Sequence, residues 1–94
     1  MPTALPRRFV TYVVRCADGT LYTGYTTDLE ARVAAHNAGR GAAYTRSRRP
    51  VVVVHHEAFA TLSEALKREA AIKRWPRAKK EALIASAKRT TAAM

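Results

Sequence analysis

Two short segments with strand-like composition open the chain, and a turn signal separates them. Phe9 to Arg15 and Thr20 to Tyr25 are rich in β-branched and aromatic side chains, which is typical of strands. The dipeptide Asp18-Gly19 lies between them and favours a tight turn between antiparallel strands. The pattern predicts a β-hairpin in which Tyr12 and Tyr22 come close to opposite one another on one face of the sheet.

The next segment changes to the period of a helix. Leu29 and Val33 are four residues apart in the stretch from Asp28 to Ala38, and we expect them to form its buried stripe. Thr27 is placed to cap this helix, with Glu30 completing a capping box and Asn37-Ala38-Gly39 as the stop signal. Residues 39–50 show neither the helix nor the strand period, so they are predicted to form a loop.

The second half of the chain predicts one more strand and two more helices. The strand covers Val51 to Ala58, and Thr61 with Glu64 forms a second capping box that opens a helix ending at Lys73 or Arg74. Pro76 suits the first turn of a last helix that ends near Ala87. The order β-β-α-β-α-α predicts an α+β fold, in which helices flank a small, mostly antiparallel three-stranded sheet.

Length and composition narrow the class of protein. A chain of 94 residues is expected to form a single domain over residues 1–94, with an ordered core at about residues 8–87 and a basic tail at 88–94. Its single cysteine, Cys16, rules out an internal disulfide, and no zinc-like spacing is present. The first residues carry no apolar segment of signal-peptide length, so we expect a cytoplasmic protein.

The charge points to a polyanionic partner. Seventeen Lys and Arg residues against seven Asp and Glu residues give a formal net charge of +10. Nucleic acid is the leading partner that such a charge suits, and an anionic membrane surface is the alternative. The longest wholly aliphatic run is only Val51 to Val54, and no helix sets a bulky apolar face against a lysine face, so we expect no membrane association.

Three polar residues lie where the helical periods call for apolar ones. In the first helix Arg32 and His36 lie on or beside the buried stripe. In the second helix Glu69 interrupts an apolar face whose other members are Leu62, Ala65, Leu66 and Ile72. Among the seven acidic residues, Glu69 is the one without a routine role, since the others lie in a turn, at a helix N-terminus, at a strand end or among lysines.

Each of these residues also has an ordinary structural explanation. Glu69 could form an ion pair with Lys73 four residues later, or with Arg32. Tyr12 and Tyr22 could be half-buried strand residues whose hydroxyl groups reach water.

Several motifs together resemble a known family. Val10-Thr11-Tyr12, then Tyr22-Thr23-Gly24, then Arg32 and His36 on one helix and Glu69 on the next resemble the GIY-YIG nuclease superfamily. The segments that resemble its small bacterial single-domain branch are Arg15-Cys16-Ala17-Asp18-Gly19, Leu21-Tyr22-Thr23-Gly24, Thr26-Thr27-Asp28-Leu29-Glu30, His36-Asn37, Tyr44-Thr45-Arg46 and Ser63-Glu64-Ala65-Leu66-Lys67-Arg68-Glu69. Val10 departs from the pattern, since the first motif commonly starts with glycine. A bulkier side chain there could narrow the approach to the groove.

The resemblance implies hydrolysis of phosphodiester bonds in DNA, or in RNA, by an endonuclease with a role in DNA repair or recombination. Glu69 would ligate Mg²⁺ or Mn²⁺. Tyr12 would act on the attacking water, Tyr22 would hold the hydrogen-bond network, and Arg32 would offset the charge on the phosphate. His36 could relay the proton or bind phosphate.

Binding would use a basic loop and the second helix. The expected nucleic-acid ligands are Arg40, Tyr44, Arg46, Arg48, Arg49, Lys67 and Lys73. A run of arginines can also be simply solvated. Two functions therefore stay open: a metal-dependent nuclease, which a partner protein could direct to its target, and a nucleic-acid binding module that keeps the fold with little or no turnover.

Overall fold

Three strands and four helices make up the part of the chain that the structure describes. In the computed structural model these are residues 8–93, with side chains described as far as Ser86. The elements are β1 (Phe9–Cys16), β2 (Leu21–Thr26), α1 (Leu29–Asn37), α2 (Ala43–Arg46), β3 (Val51–Phe59), α3 (Leu62–Arg74) and α4 (Arg77–Ala93). The predicted α+β class and the order of the major elements are confirmed, and α2 is an addition to them.

β1 is the central strand of the sheet. The strand order is β2-β1-β3, and both pairings are antiparallel. The predicted hairpin forms, but Tyr12 pairs with Gly24 and Tyr22 pairs with Val14, so the two tyrosines are diagonal neighbours on one face and not directly opposite. The turn sets this register, because Cys16 N–H bonds the carbonyl of Thr20 at 2.8 Å.

Side chains alternate between two layers along β1. On one face Tyr12, Val14 and Cys16 form a buried cluster with Val51, and Leu29 of α1 packs against it. On the other face a second cluster contains Val13, Ile72 and Ile84, with Leu21, Val54, Trp75 and Leu83 packed around it. The sheet therefore lies between α1 on one side and the pair α3 and α4 on the other.

The start of α1 differs from its prediction by one residue. The N-cap is Asp28, whose side chain accepts a hydrogen bond from Ala31 N–H, so the predicted Thr27 and Glu30 capping box is wrong. The hydroxyl of Thr26 accepts from Asp28 N–H at 3.1 Å and so fixes Asp28 at the helix entrance. At the other end Gly39 has φ of 83°, a conformation that glycine adopts without strain, and the predicted stop is confirmed.

The predicted loop at residues 39–50 contains the short helix α2. Its inward-facing residue is Thr45, which is fully buried and donates to the carbonyl of Ala42 at 3.0 Å. Because α2 has only four residues and its buried side chain is polar, the sequence shows no hydrophobic periodicity from which this helix could be predicted. The last helix also differs from its prediction, since α4 continues to Ala93, past the expected end near Ala87 and into the segment predicted as a basic tail. None of the helices within residues 8–93 has the length and apolarity needed to cross a membrane.

α3 contacts the sheet through fewer apolar residues than its pattern suggests. Its capping box between Thr61 and Glu64 is confirmed. Ala65 and Ile72 are fully buried, whereas Leu62 and Leu66 are 40% and 38% exposed, so their assignment to the buried face is wrong. The small Ala65 allows a close approach at which its carbonyl accepts a hydrogen bond from the Thr11 hydroxyl at 2.8 Å.

The difference between buried and exposed positions on α3 can be measured directly. We expect Ile72→Ala to lower the free energy of unfolding by about 2–5 kcal/mol, because it leaves a cavity beneath the sheet. Leu66→Ala on the same helix should cost less than about 1.5 kcal/mol, since its side chain is already partly in water. Urea denaturation of both variants checks this expectation, and equal losses would contradict the packing described here.

Candidate active site

Tyr12 is the buried centre of the site. Its ring is fully inaccessible to solvent and crosses β2 at Gly24. A Cβ atom at Gly24 would lie 2.7 Å from the Tyr12 hydroxyl oxygen, closer than real Cβ contacts come. Glycine at this position therefore leaves the space that the phenol occupies.

A chain of hydrogen bonds leads from Tyr12 into the protein through α1 and α2. The Tyr12 hydroxyl is 2.8 Å from His36 Nε2, and His36 Nδ1 is 2.7 Å from the hydroxyl of Thr45. The ring of His36 is 1% exposed, and a Cβ atom at Gly41 would overlap it. His36 has both ring nitrogens occupied by protein groups, so in this arrangement it cannot bind phosphate directly.

The position of the Thr45 proton sets the tautomer of His36. Thr45 donates its single hydroxyl proton to the carbonyl of Ala42, so it accepts from Nδ1–H of His36. Nε2 then carries a lone pair and accepts from the Tyr12 hydroxyl. The Ala42 N–H lies 3.4 Å from Nδ1, a long contact that would suit the other tautomer. We assign the Nδ1–H tautomer because the single Thr45 hydroxyl proton is donated to the Ala42 carbonyl.

Burial keeps Tyr12 and His36 neutral. Burial is the main reason that the pKa of Tyr12 is raised to about 12, and the neighbouring phenol of Tyr22 adds to the rise. Arg32 opposes it through its charge and hydrogen bonding, although burial has the larger effect. The pKa of His36 is lowered, first by burial and then by the charge of Arg32. At neutral pH the pair is therefore a phenol donating to a neutral imidazole.

Tyr22 lies at the centre of a group of rings. Its ring centroid is 6.5 Å from that of Tyr12, 5.4 Å from that of His36 and 5.9 Å from that of Tyr44. Tyr44 is stacked on it at an interplanar angle of 26°, and Lys73 Nζ lies 5.9 Å from its centroid. The structure therefore brings the two predicted tyrosines and His36 together, with Tyr44 beside them.

Glu69 lies in the site and also forms one of the ion pairs that the sequence leaves open. Its side chain is 17% exposed, and Oε2 is 3.4 Å from Lys73 Nζ. Within residues 8–93, the ion pair recorded for Glu69 is with Lys73 and not with Arg32. The charge of Glu69 nevertheless makes a small contribution to the raised pKa of Tyr12, so the carboxylate acts on the phenol electrostatically.

A divalent cation fits this arrangement with one protein ligand. The described part of the chain contains no group of three or more His, Cys, Asp or Glu side chains that could hold a metal ion. Mg²⁺ commonly uses one or two carboxylates and takes its remaining ligands from water and substrate phosphate. Glu69 supplies a suitable, mostly buried oxygen ligand whose charge acts on Tyr12, so the residues present fit a magnesium ion bound in this mode.

The predicted nucleic-acid ligands fall into two groups. Arg40, Arg46 and Lys67 are exposed, whereas Arg48 and Arg49 make several contacts within the protein. The guanidinium of Arg48 lies 4.1 Å from the Tyr44 ring centroid and donates a hydrogen bond to the Tyr44 carbonyl at 2.7 Å. Its Nε is also 3.2 Å from a carboxylate oxygen of Asp18, an ion pair without the geometry of a hydrogen bond. The Tyr44 ring thus packs against both Tyr22 and Arg48.

Arg49 fastens the loop to the end of α1. Its Nε donates to the carbonyl of Arg46 at 2.8 Å, and its Nη1 donates to that of Asn37 at 3.3 Å. Arg46 and Arg49 also line a surface cavity of about 470 Å³ with Asn37, Ser47 and Pro50. Their roles, and those of the other ligands, in binding nucleic acid stay predictions.

Comparison with known proteins identifies the family of the chain. The family model described as the GIY-YIG catalytic domain matches residues 8–82. The chain belongs to the GIY-YIG nuclease family. All five residues predicted for catalysis, Tyr12, Tyr22, Arg32, His36 and Glu69, fall inside the matched range.

The relatives within the GIY-YIG family are small proteins from bacteria and archaea. A UPF0213 protein of Halobacterium salinarum is 61% identical over 73 residues, which are 78% of this chain and 95% of the relative. A UPF0213 protein of Staphylococcus haemolyticus is 56% identical over 73 residues, which are 78% of this chain and 89% of the relative. The predicted bacterial branch therefore extends to archaea.

Two solved structures have the same fold. The solution NMR structure of a UPF0213 protein from Bacillus halodurans is 42% identical, with a TM-score of 0.55 and 83% of each chain covered. The solution NMR structure of a protein from E. faecalis is 47% identical, with a TM-score of 0.60 and 86% of each chain covered.

Sequence reasoning missed Thr45 as a member of the site. It lies inside the segment Tyr44-Thr45-Arg46, which carries part of the family resemblance, but nothing in its pattern assigns it a partner. Thr45 and His36 are nine residues apart, and they meet because α2 folds back onto the end of α1.

The position of Arg32 predicts two pKa changes of the same sign. We expect Arg32→Ala to raise the pKa of Tyr12, because the phenolate loses a nearby cation, and to raise the pKa of His36, because the imidazolium loses a like charge. NMR titration of the tyrosine Cζ and histidine ring signals measures both values. Arg40→Ala, which removes an exposed cation from the neighbouring loop, is the matched control. If both pKa values are unchanged in Arg32→Ala, the guanidinium of Arg32 does not act on Tyr12 and His36 in the parent protein.

Proposed function

We propose that this protein is a metal-dependent endonuclease that hydrolyses phosphodiester bonds, in DNA rather than RNA, and that it serves DNA repair or recombination in the cytoplasm. The observation that carries the proposal is the series of hydrogen bonds from Tyr12 through His36 to Thr45. The charges of Arg32 and Glu69 both affect the pKa of the same phenol. A buried phenol hydrogen-bonded to a neutral imidazole is arranged to move a proton, which an ordinary core tyrosine is not. Membership of the GIY-YIG nuclease family supports the reaction class.

The relay lets Tyr12 act as a base although its pKa is about 12. Solvent does not reach Tyr12 in the structure, so this step requires the bound strand to open the site and bring the attacking water against the Tyr12 oxygen. As that water attacks phosphorus, its proton passes to the Tyr12 oxygen while the Tyr12 proton passes to His36 Nε2. No free phenolate needs to form at neutral pH. A P–O bond forms from the water oxygen, the bond to the leaving oxygen breaks, and that oxygen takes up a proton from solvent. His36 then returns its proton through Tyr12 to a water molecule in the opened site.

Arg32 and Glu69 provide the charges at the edge of this relay. Arg32 is exposed, so its guanidinium can meet an incoming phosphate while its charge also favours the basic form of Tyr12. Glu69 would hold Mg²⁺ or Mn²⁺, and the bound cation would polarise the phosphate and stabilise the leaving oxygen. Lys73, which lies 3.4 Å from Glu69, adds a further cation beside the substrate.

The remaining predicted ligands would hold the strand on either side of the reacting phosphate. A net charge of +10 favours binding through the phosphate backbone, which carries no sequence information. Arg40, Arg46 and Lys67 have exposed side chains for this purpose, whereas Arg48 and Arg49 would contribute only the N–H groups left by their internal contacts. Such a domain reads little sequence, and a partner protein would direct it to its target.

The nuclease assay has matched controls within the chain. With Mg²⁺ or Mn²⁺ present, we expect cleavage of branched, single-stranded or duplex DNA. Tyr12→Phe should lose about 10²–10⁴-fold in rate, because the relay loses its hydroxyl group. Glu69→Gln should also lose metal-dependent cleavage. Tyr25→Phe on β2 and Glu30→Gln on α1 replace exposed residues of the same types and should stay close to the parent rate.

Two results of that assay would count against the nuclease. Cleavage that survives in Tyr12→Phe and Glu69→Gln would mean that the site described here does not catalyse it. Binding without cleavage in the parent protein would favour the second function, a nucleic-acid binding module. The complete burial of Tyr12, its raised pKa and the ion pair between Glu69 and Lys73 are the observations that favour this alternative.

Thr45 is a positioning residue in this mechanism, since it acts through His36. Thr45→Val keeps the shape but removes the group that accepts from Nδ1–H, so we expect kcat to fall by about 10–100-fold, less than loss of the catalytic base itself. Thr45→Ser retains a hydroxyl group and should restore most of the rate. NMR detection of the His36 tautomer provides a readout besides activity. If His36 keeps the Nδ1–H tautomer and full activity in Thr45→Val, the relay does not depend on Thr45.

A further inference from the structure

A second cavity lies beside the candidate active site, where the start of β2, α2 and α4 meet. Its volume is about 200 Å³, and its lining residues are Thr20, Leu21, Tyr44, Arg77 and Lys80. Tyr44 is the only one of them that the sequence motifs identify as a nucleic-acid ligand. The other four have no role in the mechanism proposed above.

The acids around this cavity do not neutralise its cations. Asp18 receives two hydrogen bonds from Thr20 and makes a charge contact with Arg48. Glu81 is shared by two arginines, with Arg15 Nη2 at 2.7 Å and Arg77 Nη2 at 2.9 Å, and one carboxylate cannot balance both.

Lys80 adds a charge that is not balanced locally. Among the residues described, no hydrogen bond, ion pair or ring contact is recorded for its ammonium group, although it lines the cavity and is only partly exposed. Together with the excess charge of the Arg15, Arg77 and Glu81 group, it makes this wall of the cavity positive.

The cavity adjoins the reacting centre through two aromatic rings. Tyr44 forms part of its wall and stacks on Tyr22 at 5.9 Å, and Tyr22 is 6.5 Å from Tyr12 between ring centroids. A strand that places a phosphate at Tyr12 therefore has a short path past Tyr22 and Tyr44 to Lys80. Lys73, which lies over the Tyr22 ring, is a cation along that path.

We propose that this cavity is a subsite for a backbone phosphate that flanks the reacting one, held by Lys80 and Arg77 with the Tyr44 hydroxyl group as a hydrogen-bond donor. The proposal rests on the proposed function, because its ligand is the same nucleic-acid strand. Lys80 is the residue to test. Its side chain supports no contact recorded in the described structure, whereas Arg77 bonds both Gly19 and Glu81 and would disturb the fold if replaced.

Binding measured without divalent cations separates the subsite from catalysis. A fluorescently labelled single-stranded oligonucleotide is titrated with the protein in the presence of EDTA at several salt concentrations. The logarithm of the binding constant is then plotted against the logarithm of the salt concentration. For Lys80→Gln we expect the negative slope to become less steep by about 0.7, which is the change expected when one phosphate contact on a single strand is lost. Lys79→Gln is the control, because Lys79 Nζ lies 4.3 Å from the Trp75 ring centroid and does not line the cavity.

The amide NMR signals of Thr20 and Leu21 distinguish a strand from a free anion. They should shift on addition of the oligonucleotide at concentrations where inorganic phosphate has no effect, and the shifts should be lost in Lys80→Gln but kept in Lys79→Gln.

An equal response to inorganic phosphate would indicate a free-anion site and overturn the subsite. If the protein binds and cleaves DNA but the two variants behave alike, only the subsite fails. If the parent binds no nucleic acid, the proposed function fails with it.

Discussion

The hydrogen bond between the Tyr12 hydroxyl and His36 Nε2 constrains the whole of one face of this protein. It joins the central strand to α1 at a point where solvent does not reach, so both partners must be satisfied within the protein. Three other positions serve it. Gly24 leaves space for the phenol, Gly41 leaves space for the imidazole, and Thr45 accepts the remaining ring proton. The site is therefore built from the packing of β1, β2, α1 and α2, and its geometry depends on the fold more than on any single loop.

Burial and the charge of Arg32 act against each other at Tyr12, and burial has the larger effect. Arg32 stabilises the phenolate form of Tyr12, yet the pKa of Tyr12 still rises to about 12. Arg32 and burial act together on His36 and lower its pKa. The result is a neutral interior with charged groups at its edge, namely Arg32 on one helix and the Glu69 and Lys73 pair on another. This separation suits proton movement through a relay, since neither partner has to hold a charge at rest.

The basic surface is organised in the same way, with some cations holding the fold and others left for a ligand. Arg48 connects the hairpin turn to Tyr44, and Arg49 connects α2 to the end of α1. Their loss would move Tyr44 and α2 as well as remove charge. Arg46 and Lys80 have few or no recorded contacts among the described residues, so they can meet phosphate without a structural cost. A count of basic residues in the sequence does not separate these two groups, because the distinction depends on which carbonyl or carboxylate each side chain reaches.

The sequence by itself determined the order of the strands and main helices, the hairpin turn at Asp18-Gly19, the caps at Thr61 and Gly39, and the set of polar residues that break the helical periods. These features are local, since each depends on residues a few positions apart. Only the tertiary structure decided that Tyr22 pairs with Val14, that Leu66 is exposed while Ala65 is buried, and that Thr45 completes the chain from Tyr12. It also decided that Glu69 reaches both Lys73 and the neighbourhood of Tyr12. The reason is physical: register, burial and hydrogen-bond partners arise from how distant segments pack, and periodicity along the chain does not contain that information.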